Sequence, residues 1–315
     1  MNWILFTRKR KPGWLAFGLH QDRVDLVHIR RAANGRPEVV LCDSFRKEGG
    51  DAATLARLRK ELKLDQYRLT TLLGSEHYQL HQLDAPNVPR EELKAAVRWS
   101  VKASIDYPLE SATVDVLDIP VNPEAPSADH SVYAVTAKNS AIEHCIQPFK
   151  ESKLALEAID IPELAQRNVA ALFERDGHGV ALFAFYEREA ILTFSHAGEL
   201  YTTRRIEMPL AQLITDDATR RNEQFERIAL ALQRSLDHFE HQYRHLPLTR
   251  LLLGPLPQDS GLQARLASDL ALPVETIDLA AVMDFSGAPE LKHPARQSQC
   301  LSTIGAALRG EEAAA

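Results

Sequence analysis

A pattern of three consecutive β-strands joined by short polar turns occurs twice in this 315-residue chain, about half a chain length apart. The first copy covers residues 14–42 and the second covers residues 180–204. Both copies are rich in the apolar, β-branched and aromatic residues that favour strands. A repeated three-stranded meander predicts two related lobes that face each other across a cleft.

The first turn of each meander is the first candidate site, because proteins built from two such lobes hold a nucleotide phosphate there. In this chain the two turns read His20-Gln21-Asp22-Arg23 and Glu187-Arg188-Glu189. Neither turn has the small residues whose backbone N–H groups can reach phosphate oxygens. Two glutamates in the second turn would also repel a polyphosphate.

The rest of the chain predicts a mixture of helices and strands, so the fold class is α/β. The clearest helical periodicity runs from Leu93 to Ile105, and strands are predicted at residues 114–119 and 132–137. A long helix is predicted from Phe225 to Tyr243, and a last helix at residues 301–308. Residues 283–298 are mostly polar and are predicted to form a loop.

Composition and charge argue against several classes of protein. The net charge of −6 disfavours nucleic-acid binding, which is associated with a basic excess. No apolar run approaches the ~20 residues that a membrane-spanning helix requires. Cys42, Cys145 and Cys300 are far apart in sequence and form no metal or redox motif, which favours a reducing, cytoplasmic compartment.

The N-terminal segment combines apolar and basic residues, and two interpretations are open. It is either a frayed terminus or a weak membrane contact, in which aromatic rings lie among the headgroups and cations bind acidic lipids. The residues of this contact would be Trp3, Phe6, Arg8, Lys9, Arg10 and Lys11. A secretory signal is not predicted, because the charges follow the apolar residues instead of preceding them.

Histidine clusters are the only hint of a metal site, and the pattern argues against it. His238, His241 and His245 have helical spacing, but they lie opposite the apolar stripe of the long helix and are expected to face solvent. His77 and His81 fall on a predicted strand, where their side chains would not converge as helical ligands do. The sequence therefore predicts no metal site, and it contains no P-loop or nucleophile elbow.

Two aromatic residues, Trp99 and Tyr107, flank the helix that starts near Leu93. They either pack in the core of a small subdomain or form an aromatic wall for a partner peptide. They are the predicted partner-binding residues, and no catalytic residue is predicted.

Several motifs together resemble the PilM family of type IV pilus assembly proteins. The most specific are Pro89–Trp99, with its acidic pair and Val-Arg-Trp helix, and Ile105–Glu110, with its Pro-Leu-Glu exit. Residues 155–165, 198–204 and 304–309 fit later parts of the family pattern, so the resemblance covers almost the whole chain. It implies an actin-like fold, with ribonuclease-H-like duplicated lobes and an inserted small α+β subdomain.

The resemblance also implies a domain division and a partner. The first lobe would comprise residues 1–83 and 161–177, the inserted subdomain residues 84–160, and the second lobe residues 178–315. The implied role is a scaffold, peripheral on the cytoplasmic face of the bacterial inner membrane, within the assembly platform of a pilus. The implied partner is the cytosolic N-terminal tail of a single-pass pilus membrane protein, PilN-like or MshJ-like, docked between the first lobe and the inserted subdomain.

The chain departs from the family where nucleotide would bind. Typical members carry an Asp-x-Gly loop, but Gly18 stands at the Asp position and His20 at the Gly position. In the second loop the corresponding positions are Ala184 and Tyr186, and an adenosine-binding Gly-Gly becomes Gly254-Pro255, which removes a backbone donor.

These changes predict a non-catalytic protein that needs no cofactor. One alternative stays open, in which Asp22 replaces the lost aspartate and ATP with Mg²⁺ binds. Another is the cytoplasmic subunit of a type II secretion platform. That alternative is less expected, because such a subunit continues into a membrane helix that this sequence does not show.

Overall fold

The computed structural model describes residues 10–121, 130–215 and 217–310. The β-strands within these ranges are β1 (Trp14–Leu19), β2 (Arg23–Arg31), β3 (Pro37–Arg46), β4 (Arg68–Leu72), β5 (Tyr78–Asp84), β6 (Ala112–Asp118), β7 (Ser131–Lys138), β8 (Leu156–Asp160), β9 (Gly179–Phe185), β10 (Ala190–His196), β11 (Glu199–Ile206), β12 (Leu248–Leu253) and β13 (Val274–Thr276). The α-helices are α1 (Asp51–Leu62), α2 (Arg90–Ser100), α3 (Asn139–Glu151), α4 (Pro162–Ala170), α5 (Leu210–Leu213), α6 (Ala218–Gln242), α7 (Leu262–Asp269) and α8 (Pro294–Ala307).

Two five-stranded sheets have the same topology. Their strand orders are β3-β2-β1-β4-β8 and β11-β10-β9-β12-β13. In each sheet the three strands of the meander pair antiparallel. The fourth strand in the order pairs parallel with the first strand of the meander, and the fifth pairs parallel with the fourth. The prediction of two related lobes is confirmed.

The central strands of both sheets are apolar because both of their faces are covered. All seven residues of β9 are buried, as are the first five of β1. Such strands read as continuous apolar runs instead of alternating ones. Helices α1 and α3 cover the outer face of the first sheet, and α6 and α7 cover that of the second.

Helices α4 and α8 lie between the two sheets, and each packs against the sheet of the lobe that it does not follow in sequence. Helix α4 follows β8 of the first lobe but contacts β9, β10 and β11 of the second. Helix α8 follows the second lobe but contacts β1, β2 and β4 of the first. The two helices also contact each other, and they share one apolar core with both sheets. The lobes therefore share a hydrophobic centre below the cleft.

A smaller sheet with strand order β5-β7-β6 forms the inserted subdomain together with α2. One face of this sheet packs against Val97 of α2 and Val101 of the 3₁₀ turn that follows it. Toward the other side, Ile119 and Tyr133 join the apolar core of the second lobe. Tyr78 and Ala137 also pack with Leu73 of the first lobe, so the subdomain is anchored to both lobes.

The division into domains stays a prediction, but strand pairing bears on where its boundaries fall. Strand β5 pairs with β7 and so belongs to the subdomain sheet, although the predicted first lobe extends to residue 83. Strand β8 pairs with β4, and α3 packs on α1, so both elements belong with the first lobe although they precede residue 161.

One predicted element is wrong. Residues 283–298 were expected to form a loop, but α8 begins at Pro294 and residues 289–292 form a short 3₁₀ turn. Proline is favourable at the first position of a helix because its missing N–H needs no partner there. The polar residues that suggested a loop, including Gln297 and Ser298, are buried between the lobes.

Candidate functional site

The first turns of the two meanders meet across a cleft of about 780 Å³ between the lobes. The β1–β2 turn contributes His20 and Arg23 from one side, and the β9–β10 turn contributes Glu187 and Arg188 from the other. One face of α8, including Ser302, completes the lining. The predicted cleft is therefore present, with the expected turns at its mouth.

Glu187 forms ion pairs across the cleft with both cations of the opposite turn. Its Oε1 lies 3.1 Å from His20 Nδ1 and 2.8 Å from Arg23 Nη2. Behind these cations is Asp25, a carboxylate that is 0% exposed. Asp25 Oδ2 lies 3.0 Å from His20 Nε2 and 3.3 Å from Arg23 Nε. The two cations are held between a buried carboxylate of their own lobe and an exposed one of the other.

Asp25 is in turn fixed by residues from two other elements. Ser44 on β3 donates a hydrogen bond to Asp25 Oδ1, and Gln299 Nε2 on α8 lies 3.2 Å from the same oxygen. Arg296 donates to Ser44 Oγ at 2.6 Å. These contacts satisfy the buried charge and connect the β1–β2 turn to the central helix.

The pKa shifts agree with this arrangement. Burial opposes a charge on His20, but the nearby carboxylates of Asp25 and Glu187 outweigh burial and raise the pKa of His20 to about 9. The contact with His20 is the main reason why the pKa of Glu187 falls to about 2. Burial also opposes the charge of Asp25, yet the ion pair with His20 and the hydrogen bond from Ser44 lower the pKa of this carboxyl. The network is therefore fully charged at neutral pH.

A second ion pair crosses the cleft in the opposite sense. Arg188 Nη1 of the second lobe lies 2.5 Å from Glu76 Oε1 of the first. Close by, Arg205 of the second lobe donates to the Ser75 carbonyl at 3.0 Å. Each lobe thus supplies both a cation and an anion to the other.

The positions that would carry the missing nucleotide-binding residues are closely packed. A Cβ on Gly18 would lie 2.6 Å from Thr303 Oγ1, so an aspartate there would displace the threonine. A Cβ on Gly254 would lie 2.8 Å from the Cβ of Ala184, so there is little room for a larger side chain at either position. Asp22, the suggested replacement, has a side chain that is 79% exposed and does not line the cleft.

A second hollow, here called the subdomain groove, lies between the inserted subdomain and the first lobe. It has a volume of about 420 Å³, and an adjoining hollow of about 290 Å³ extends along α3. Its walls include Tyr78 of β5, Tyr107 and Lys138 from the subdomain, and Ala141 and His144 of α3. It is large enough for side chains of an extended peptide and combines aromatic, apolar and charged groups.

The structure separates the two predicted partner-binding residues. Tyr107 lines the subdomain groove, and Lys138 Nζ lies 5.2 Å from the centre of its ring. Trp99 lies on α2, is 68% exposed, and is not part of the groove lining. Core packing, one of the two interpretations of Trp99, is therefore wrong, because Val97 occupies the buried face of the helix.

The structure describes only part of the predicted N-terminal membrane contact. Of the predicted membrane contact, Trp3, Phe6, Arg8 and Lys9 lie outside the described residues. Arg10 pairs with Glu157, and Lys11 Nζ lies 2.7 Å from the hydroxyl of Tyr67, so these two cations contact the first lobe.

His238 and His241 on α6 are exposed, as predicted, but His245 lies beyond the end of α6 and is only partly exposed, so the prediction that it faces solvent on that helix is wrong. Among the described residues, no cluster of histidine, cysteine and acidic side chains could hold a metal ion. None of the helices described here combines the length and apolarity that crossing a membrane requires.

Two clusters were missed because their members are far apart in sequence. Cys42 of β3 and Cys300 of α8 are buried, with their sulfur atoms 3.7 Å apart. Glu163 of α4 is 0% exposed, accepts a hydrogen bond from Tyr78, and lies 2.7 Å from Arg205 Nε. This second cluster joins the subdomain, the central helix α4 and the second lobe. A glutamate directly after the helix-starting Pro162 gave no indication of such a role.

Comparison with solved structures shows which fold this is. A chain in a structure of the PilM-PilN type IV pilus biogenesis complex matches 95% of this chain and 98% of its own length, with a TM-score of 0.69 and 18% identity. At this identity the likeness shows a shared fold, and it agrees with the predicted actin-like architecture of two related lobes.

Two weaker matches have TM-scores below one half. A Bacteroides thetaiotaomicron protein with an actin-like ATPase fold and unknown function matches 92% of this chain and 99% of its own, with a TM-score of 0.49 and 13% identity. The cytoplasmic domain of EpsL, an inner-membrane component of the Vibrio cholerae type II secretion system, matches 94% and 98%, with a TM-score of 0.47 and 14% identity. No protein-family model matches the chain, and no curated protein sequence matches it.

Proposed function

We propose that this protein is a non-catalytic scaffold of a type IV pilus assembly platform, located at the cytoplasmic face of the inner membrane. In this role it captures the cytosolic tail of a single-pass, PilN-like membrane protein. The observation that carries the proposal is the subdomain groove, which lies where the resemblance implies that such a tail docks. The fold shared with a chain of a PilM-PilN complex supports it.

The chemistry of the subdomain groove suits an extended peptide. Tyr107 offers a partly exposed aromatic ring, and Ala141 on the opposite wall is a small side chain that leaves space for an apolar group. Glu76 and Asp106 lie on the same lining as Lys138, so both charges are present to fix the register of a bound tail. A few buried anchors are expected to provide most of the affinity.

The absence of catalysis is part of the proposal and rests on the cleft. Arg23 and His20, the cations nearest to a phosphate position, are already paired with Glu187 and Asp25. A nucleotide would have to displace Glu187 and bring its own charge next to two carboxylates. Such like-charge contacts in a desolvated site are unfavourable.

A finer assignment follows from the sequence motifs alone. Within the PilM family the chain looks most like MshI, of the mannose-sensitive haemagglutinin pilus, so the partner would be MshJ-like. A cytoplasmic subunit of a type II secretion platform is the related alternative. The identity of the captured membrane protein distinguishes them, since each system has its own single-pass partner.

The proposal is tested by purifying the full chain from its native cells in mild detergent and identifying the associated membrane proteins by mass spectrometry. We expect one single-pass protein with a short cytosolic N-terminal tail. The synthetic tail peptide should then bind the purified chain in calorimetry. Recovery of the chain with no membrane protein, under conditions that preserve the platform, would contradict the proposal.

Point variants locate the interface. Ala141→Glu places a charge in the subdomain groove and is expected to weaken peptide binding at least tenfold, because a buried charge must be desolvated. Lys150→Glu, exposed on the same helix and outside the groove, is the matched control. Trp99→Ser tests the exposed aromatic of α2 separately. Normal binding by Ala141→Glu together with lost binding by Gln21→Glu would place the interface in the inter-lobe cleft instead.

A further inference from the structure

We infer that the two sets of ion pairs across the cleft form an electrostatic clasp that holds the lobes closed without any ligand. The clasp consists of His20, Arg23 and Glu76 of the first lobe and Glu187 and Arg188 of the second. The inference goes beyond the scaffold role and does not depend on the identity of a partner.

Each lobe supplies both a cation and an anion to the clasp, so the clasp favours one relative position of the lobes. Cations of the first lobe reach an anion of the second at His20 and Arg23, and a cation of the second reaches an anion of the first at Arg188. Sliding one lobe against the other would separate both sets at once. Like charges would then face each other, because Arg23 and Arg188 both lie on the cleft lining.

Isolated ion pairs at a protein surface contribute little to stability, so the residues that hold the clasp side chains in place are important. Here Asp25 is fully buried and contacts both His20 and Arg23, which fixes these side chains before Glu187 approaches. Gln299 and Ser44 hold Asp25 in turn. Because the cations are already ordered, less side-chain entropy is lost when the cleft closes.

The clasp acts at the mouth of the cleft, whereas α4 and α8 join the lobes at its base. A structure fixed only at its base can hinge, and a connection at the mouth removes that freedom. The same two turns are where a nucleotide phosphate would join the lobes in proteins of this architecture. The protein thus supplies from its own side chains the connection that a ligand would otherwise provide.

Hydrogen–deuterium exchange and small-angle X-ray scattering of the full chain test this inference. In the closed form the amides of His20 and Tyr186 are bonded to the Arg23 and Glu189 carbonyls at 3.0 and 2.8 Å. We expect Glu187→Lys and Arg188→Glu each to speed exchange in both turns at least severalfold and to increase the radius of gyration. The double variant Glu76→Arg/Arg188→Glu should restore the wild-type values, because it rebuilds the pair with exchanged charges.

A measurement at high salt and a control variant complete the test. Raising NaCl to roughly 1 M shortens the Debye length to about 3 Å and should loosen the turns of the wild-type protein, which requires no variant. Arg265→Glu breaks an ion pair with Asp269 on the outer helix α7 and should leave both turns unchanged. If Glu187→Lys, Arg188→Glu and high salt all leave exchange and scattering at their starting values, the central helices alone hold the lobes and the clasp is refuted.

Discussion

Gly305 sets how closely the two central helices approach. A Cβ at this position would lie 2.1 Å from the carbonyl oxygen of Ala165 on α4, which is backbone and cannot rotate away. Gly305→Ala is therefore expected to separate α4 from α8 and to destabilise the protein by about 1–3 kcal/mol, the usual range for overpacking. Urea unfolding measures this difference directly.

The matched control for this substitution is Gly310→Ala, which makes the same chemical change just after the same helix. A Cβ at Gly310 meets no atom within 4 Å, so the change should stay within about 0.5 kcal/mol. Equal effects of the two variants would mean that glycine entropy, and not the helix contact, determines the result.

His20 makes stability depend on alkaline pH. Its pKa rises from 6.5 to about 9 on folding, so the folded state binds this proton more tightly than the unfolded state. The stabilising contribution is complete below pH 6.5 and is lost as the pH rises through 9. A shift of this size corresponds to roughly 3–4 kcal/mol.

We therefore expect His20→Gln to lower stability at pH 6 and to flatten the decline between pH 7 and pH 9.5, as followed by urea unfolding at each pH. His238→Gln, on the exposed face of α6, is the control and should keep the wild-type slope. A slope that His20→Gln leaves unchanged would mean that other groups cause the alkaline loss.

The sequence shows which residue types occupy the positions of the nucleotide-binding loops, but it does not show which distant residues contact one another in the fold. The losses at Gly18, His20, Ala184 and Tyr186 were visible because each position lies in a short local motif that the family resemblance aligns. The pairing of Glu187 with His20 was not visible, since it depends on how two distant lobes approach. For the same reason, cysteines that were far apart in sequence turned out to be in contact across β3 and α8.

At the scale of elements, a buried ion pair connects α4 to the second lobe. Glu163 is 0% exposed and pairs with Arg205 of β11, which also stacks on the Tyr78 ring of β5 at 4.5 Å. Arg205→Met leaves the buried carboxylate without its cation and is expected to cost about 3–5 kcal/mol. The measurement is urea unfolding at neutral pH.

The double variant Arg205→Met/Glu163→Gln removes both charges and should recover more than half of that loss, since no buried charge is left unpaired. Arg265→Met removes the cation of a solvent-exposed pair with Asp269 and serves as the control, with no measurable change expected. A double variant no more stable than Arg205→Met would show that apolar packing of the arginine stem, and not its charge, is what the site needs.

Elements with a strong local pattern were predictable, and those defined by burial between lobes were not. The strands of both meanders follow from apolar runs bounded by turn residues, and their predicted positions agree with β1–β3 and β9–β11. The start of α8 was missed because its small and polar residues are buried on several sides instead of forming an amphipathic stripe. Pro294 was the local sign of that start.

At the scale of the whole molecule, two of the hollows in the described part of the chain differ in character. The inter-lobe cleft is crossed by the protein's own ion pairs, whereas the subdomain groove has aromatic and apolar walls beside its charges. Glu76 borders both hollows and pairs with Arg188. Binding at one hollow and closure at the other therefore involve the same side chain, Glu76.

The affinity of the inter-lobe cleft for nucleotide depends on both lobes together. We predict that ATP with Mg²⁺ does not bind at cellular concentrations, because Glu187 occupies the cations of the first turn and Gly18 and Ala184 supply no carboxylate for the metal. Binding with a Kd of 1 mM would stabilise the protein by about 1 kcal/mol at several millimolar ligand, which a thermal melt detects. Glu187→Gln, which releases Arg23 and His20, provides the internal comparison. A saturable rise in melting temperature of the wild-type protein would revive the ATPase alternative. A rise confined to Glu187→Gln would show that the paired glutamate, and not the missing aspartates, keeps nucleotide out.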